Sequence, residues 1–123
     1  MSSIQNTLKM KKFLLLLHDN TEDLRQLSPK DMESLVAAHT AWAEKLGEEG
    51  YLIAGEGLEE RSVKISGRDS VVMDGTFAES KEIIGGFYYL QTKSLEEAVE
   101  LSKSCPCHLW GGVTEIRPVM DYD

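Results

Sequence analysis

The chain has 123 residues, with 13 Lys+Arg against 21 Asp+Glu for a formal charge of −8 at pH 7, 41% hydrophobic residues and two cysteines. A chain of this size can bury roughly two-thirds of the surface its unfolded form exposes, so one domain can hold a core without disulfides or a structural metal. Its acidic balance repels phosphate backbones, and only Lys9, Lys11 and Lys12 form a basic cluster, which argues against a nucleic-acid partner.

Residues 1–9 are polar and aperiodic, so a loose tail is expected there and a single domain over 10–123. The lysines before Phe13–Leu17 imitate a secretion signal, but only five apolar residues precede His18 and Asp19. That is short of the roughly 7–15 of a signal core and the ~20 of a membrane span, so the expectation is a cytoplasmic protein without a membrane segment. Cys105 and Cys107 are too close in sequence for an unstrained mutual bridge and are expected as reduced thiols.

The run Lys12–His18 reads as a strand buried on both faces. Ser28-Pro29 opens a long helix, with Ser28 as N-cap, proline at the first helical position and Asp31 in the first turn. Its apolar stripe runs through Met32, Leu35, Val36, His39, Trp42, Ala43 and Leu46, and Gly50 marks its end. Tyr51–Ala54 is a strand bounded by Gly55-Glu56-Gly57. Val63–Ile65 and Ser70–Met73 form a hairpin through Gly67-Arg68-Asp69. The charged stretch from Asp74 to Glu82 is a loop, and Phe87–Gln91 a strand. Ser94 and Glu97 make a capping box for a helix over Leu95–Cys105, stopped by Pro106, and Val113–Val119 is the last strand.

This order fits an α+β fold of the ferredoxin-like split β-α-β type with an extra hairpin and both helices on one sheet face. The first strand is apolar at both parities, so the second face needs a cover. A copy of the same sheet is the expected one, giving a homodimer through that face; the hairpin folding back within one chain is the alternative.

The string Met73-Asp74-Gly75-Thr76-Phe77-Ala78-Glu79-Ser80-Lys81-Glu82, followed by Gly85-Gly86-Phe87-Tyr88, resembles the YCII-related proteins of the DGPF type. The likeness extends from Met10 to Met120 and includes the opening MKKFLLLLH, Gly55-Glu56-Gly57-Leu58, Leu95–Cys105 and Glu115-Ile116-Arg117-Pro118-Val119. It implies a dimeric ferredoxin-like α/β barrel of largely unassigned function. Two departures stand out. Thr76 replaces the usual proline after Asp-Gly. The resemblance also sets a helix histidine against an acid near the end of the second helix, at His39 and Cys105, so here the histidine is present and its acid is not.

His39 lies on the inner stripe of the long helix. There it is either a core histidine satisfied by a carbonyl or water, or a pocket acid/base whose reference pKa of roughly 6.5 suits proton traffic near neutrality. Asp74, Glu79, Lys81 and Glu82 gather around Phe77 in one loop, where Asp74-Gly75 is a turn or the loop is a lid with carboxylates for His39. His18-Asp19 ends the first strand, as solvated polarity or as ligand-facing residues. Cys105, Cys107 and His108 are crowded and one ligand short of a zinc site, so neither metal nor cofactor is expected. Two functions follow. One is a small cofactor-free enzyme of lyase or isomerase type acting on a small organic molecule. Its catalytic residues would be His39 and Asp74, with His18, Asp19, Phe77, Glu79 and Lys81 binding substrate. The other is a non-catalytic metabolite-binding or protein-interaction module using the same pocket. Asp74, Glu79 and Asp19 are the acids expected to orient His39.

Overall fold

The computed structural model describes residues 9–74 and 82–122. Strand β1 (Lys11–Asn20) is followed by a short helix α1 (Thr21–Arg25), the long helix α2 (Pro29–Glu48) and strand β2 (Leu52–Gly57). Strands β3 (Val63–Ser66) and β4 (Val71–Asp74) come next, then β5 (Glu82–Thr92), helix α3 (Leu95–Ser102), a 3₁₀ turn (Pro106–Trp110) and β6 (Val113–Pro118). The main sheet is antiparallel in the order β2-β5-β1-β6, while β3 and β4 form a separate two-stranded sheet.

Local chemistry explains the boundaries. The Ser28 hydroxyl accepts from the Asp31 N–H at 3.0 Å, and Pro29 takes the first helical position, where its missing N–H has no intrahelical use. At α3 the Ser94 hydroxyl accepts from Glu97 N–H at 3.1 Å, while the Glu97 carboxylate reaches back to the Lys93 N–H at 2.8 Å. Four boundaries differ from expectation. β5 begins at Glu82, because pairing with the far end of β1 draws Glu82–Ile84 into the ladder. Gly55-Glu56-Gly57 continues β2 instead of bounding it, since it pairs with β5 through Gly86. Helix α3 ends at Ser102, and Pro106 starts the 3₁₀ turn instead of a plain loop. Helix α1 is an addition, started by the Asn20 side chain accepting from Asp23 N–H at 3.0 Å.

Phe13, Leu15 and Leu17 of β1 are buried against the helices, together with Tyr88 and Leu90 of β5, Trp42 and Leu46 of α2, and Cys105 and Cys107. Leu14 and Leu16 project to the other face beside Phe87 and Tyr89, their cross-strand partners, and all four are half-buried. The sheet is open at both edges and closes no barrel within one chain. Both strands of the β3–β4 hairpin are exposed along their full length, so in this chain the hairpin does not bury itself on the open face.

Leu15, with no exposed surface, sits at the centre of the core. Leu15→Ala should destabilise the fold by about 2–5 kcal/mol in denaturant titration, because the packed sheet and helices cannot collapse onto the space. Ser94→Ala should cost only about 1 kcal/mol by the same measurement, as the loss of one cap.

Candidate functional site

A cleft of about 340 Å³ opens between α2 and the β2/β5/β1 end of the sheet, lined among others by Asp19, His39, Thr40, Glu56 and Tyr88, with Leu35, Val36 and Ala43 as apolar wall. A larger hollow of about 600 Å³ lies between the start of β1 and the segment after β6, along Lys9–Phe13 and Pro118–Tyr122. It contains none of the site residues expected from the sequence. The ion pair there, Lys9 to Asp121 at 3.3 Å, is solvated on both sides. Chemistry rather than size therefore marks the smaller cleft.

His39 reaches the cleft because the α2 stripe turns it toward the sheet. Its Nδ1 shares a 2.8 Å hydrogen bond with the Tyr88 hydroxyl, and the two rings are stacked with centroids 6.0 Å apart. Tyr88 is gripped from the other side by Trp42, edge-on at 4.9 Å, and the Trp42 indole N–H donates to Ser104 Oγ at 2.9 Å. Gly55 is required opposite this ring, because a Cβ there would approach Tyr88 Cδ1 to 2.8 Å. With Nδ1 occupied, His39 Nε2 has no hydrogen-bonding partner among the described residues and is the nitrogen left for a ligand. The bond to Tyr88 forms in either tautomer. When Nδ1–H donates to the phenol oxygen, Nε2 carries the bare lone pair of a base.

Asp19 arrives from β1. Alternation along the strand continues Phe13, Leu15, Leu17 to Asp19 on the helix-covered side, and sends His18 to the other. There His18 Nε2 meets Glu115 at 2.8 Å, and His18 is not among the residues lining the cleft. Between Leu17 and His18 the pairing of β1 with β5 slips, Leu17 facing Gly86 and His18 facing Ile84, so that Gly85 is the extra residue of a bulge. A Cβ at Gly85 would overlap the Asp19 carboxylate. The bulge glycine is the space into which that carboxylate fits.

Burial acts on this pair in opposite senses. Desolvation pushes the Asp19 carboxyl above its ordinary pKa, opposed by a hydrogen bond from Cys107 and by the charges of His39 and His18. Desolvation also holds the His39 pKa below its ordinary value, opposed by the Asp19 charge. The two proton affinities therefore converge. The Tyr88 hydroxyl is pushed well up by burial and stays protonated. Burial likewise raises Cys105 to about 11 and Cys107 to about 12, so both are neutral, unreactive thiols.

Of the other expected site residues, Asp74 ends β4 on the exposed hairpin and is not in the cleft lining. Phe77, Glu79 and Lys81, with Thr76, lie outside the described residues. His108 bonds Thr114 Oγ1 at 2.8 Å, and no group of three or more His, Cys, Asp or Glu that could hold a metal occurs among the described residues. Thr40, Glu56 and Tyr88 are the polar cleft residues that sequence reasoning missed. The signal for Tyr88 was its alternation with Leu90 on the buried side of β5, which placed it opposite the histidine stripe.

The fold and cleft define a small α+β protein with a half-buried histidine, a buried tyrosine and a half-buried carboxylate between helix and sheet. Residues 11–123 match the model of the YCII-related domain, and the chain belongs to that family. It is also 36% identical over 62 residues to an uncharacterized protein of Rhizobium meliloti (strain 1021), a match covering 50% of each chain. The chain thus matches about half the length of that relative.

Titration of the His39 ring by NMR should give a pKa below roughly 6.5. Asp19→Asn should lower it further, because the carboxylate's charge favours the imidazolium. In the stability profile, His39 takes a proton in the unfolded chain first. Its contribution is therefore full above roughly pH 6.5 and lost as pH falls toward the folded-state value. Asp19 works the other way, its buried charge costing stability above its raised pKa, so Asp19→Asn should raise the melting temperature at pH 7.

Proposed function

We propose that the chain is a small acid/base enzyme of lyase or isomerase type, working without a cofactor on a small organic molecule held in the His39 cleft. One observation carries the reading: His39, Tyr88 and Asp19 share one cleft, and burial displaces the carboxyl and imidazole affinities toward each other. Neutral His39 takes a proton at Nε2 from a hydroxyl or from a C–H beside a carbonyl. Tyr88 holds the ring at Nδ1, and the Asp19 charge stabilises the imidazolium that forms. His39 then returns the proton to another atom of the same molecule, or to its leaving group, so the enzyme ends as it began. Asp19 takes the acidic role expected of Asp74, since it lines the cleft and Asp74 does not. A metabolite-binding module would use the same cleft without turnover.

Pairing through the open sheet face belongs to this proposal. The order β6-β1-β5-β2 is that of a ferredoxin-like sheet, and half-buried Leu14, Leu16, Phe87 and Tyr89 form an apolar surface with no helix over it. A second sheet laid on that surface would complete the α/β barrel. The two unpaired thiols favour a reducing compartment, in line with a cytoplasmic location. No helix among the described residues is long and apolar enough to cross a membrane.

His39→Gln keeps a hydrogen-bonding side chain and removes proton transfer. In a screen of small carbonyl and hydroxy compounds for turnover, it should cut any activity about 10²–10⁴-fold while ligand binding persists. Binding without turnover in the unmodified chain would favour the module instead. Sedimentation equilibrium at micromolar concentration should give twice the 13.8 kDa chain mass, and Leu16→Glu should give a single chain. A monomer for the unmodified protein would refute the pairing.

A further inference from the structure

We infer that Cys107 is a positioning residue for the proposed acid, its thiol holding the Asp19 carboxylate over the Gly85 bulge and turned into the His39 cleft. The inference rests on the acid/base reading for its purpose, but its geometry stands on its own. The Cys107 Sγ lies 3.6 Å from Asp19 Oδ1, a distance at which an S–H donates to a carboxylate oxygen. The thiol is 2% exposed, so water does not compete for that oxygen from its side.

Three backbone features leave the thiol and carboxylate this arrangement. Pro106 opens the 3₁₀ turn and places Cys107 beneath the end of β1. Gly112 then passes so close that a Cβ there would overlap Cys107 Sγ and stand 2.8 Å from the Cys107 carbonyl oxygen. Gly85 provides the matching space for the Asp19 carboxylate across the site. Each glycine therefore makes room for one partner of a single contact. The Cys107 N-terminal neighbourhood is also where the family resemblance sets an acid, at Cys105. In this chain the negative charge comes from β1 and the 3₁₀ turn supplies a neutral donor to it.

A thiol is suited to this task. With its pKa raised to about 12 it remains S–H throughout the neutral range, and so donates without adding charge. A lysine or arginine in its place would pair with Asp19 and hold its carboxyl low, taking it out of proton exchange with His39. The charged and titratable groups around Asp19 are Cys107 on the 3₁₀ turn, His39 on α2, His18 on β1, and Cys105, which stays a neutral thiol just before that turn. Of these, Cys107 is the one that donates a hydrogen bond to it without changing charge.

The test is carbon-detected NMR titration of Asp19 in the full chain, comparing the unmodified protein with Cys107→Ala, Cys107→Val and Cys107→Ser. Removing the donor should raise the Asp19 pKa by about half a pH unit or more, because the hydrogen bond favours the charged form. Cys107→Ser, which keeps a donor, should return most of that change. Valine fills the space without donating, so it serves if the alanine variant does not fold, and it separates donation from packing. An Asp19 pKa unchanged in the folded alanine or valine variant would overturn the inference, as would a serine variant that behaves like valine. Failure to find turnover leaves this titration untouched, so the acid/base reading and the positioning role fall separately.

Discussion

The ladder between β1 and β5 is the constraint on which the rest depends. These two central strands hold the buried leucines and Tyr88 on one face, and their pairing slips by one residue at Gly85. A Cβ on Gly85, the extra residue of that slip, would occupy the space of the Asp19 carboxylate. The bulge thus leaves room for a half-buried carboxylate at the end of a structural strand. β6 meets the same strand from its other side without any slip, pairing Val113 with His18 in simple alternation, so the irregularity is confined to the cleft side of the ladder.

Desolvation does the electrostatic work in this cleft. A dominant attraction between opposite charges would have held Asp19 ionised and His39 protonated over a wide pH range, which is the usual outcome of a tight ion pair. Here burial is the larger influence on both groups, and their mutual attraction opposes it without overcoming it. The aromatic and apolar wall, from Trp42 through Tyr88 to Leu35 and Val36, is therefore part of the chemistry as well as the packing. The same burial silences the two cysteines as nucleophiles.

The chain also leaves apolar surface unspent. Val63, Ile65 and Val72 share one face of the hairpin by its register and are 55%, 67% and 60% exposed, while the sheet's open face keeps four half-buried apolar side chains. An isolated two-stranded hairpin is marginal in water, so this arm has little of its own to hold it. Monomeric domains seldom keep such apolar surface uncovered, and this is the physical ground for the proposed pairing of chains.

The residues alone determined the elements wherever a local rule is strong. Ser28-Pro29 and Ser94 with Glu97 start helices by hydrogen bonds made within one turn, and the apolar parity of β1 follows from strand geometry. They also carried the family, through motifs spread along the chain, and placed His39 on an inward stripe. What only the tertiary structure decided was which groups meet. Asp19 and Cys107 are 88 residues apart in sequence, and His39 and Tyr88 are 49 apart. No local pattern records such a contact, because it arises where β5 bulges and a 3₁₀ turn passes beneath β1. Asp74, conspicuous in its motif, went with the hairpin, whereas Asp19, one of many carboxylates in an acidic chain, gained its altered proton affinity from being buried beside a histidine. Burial and long-range proximity are properties of the folded surface, and so they became legible only in the fold.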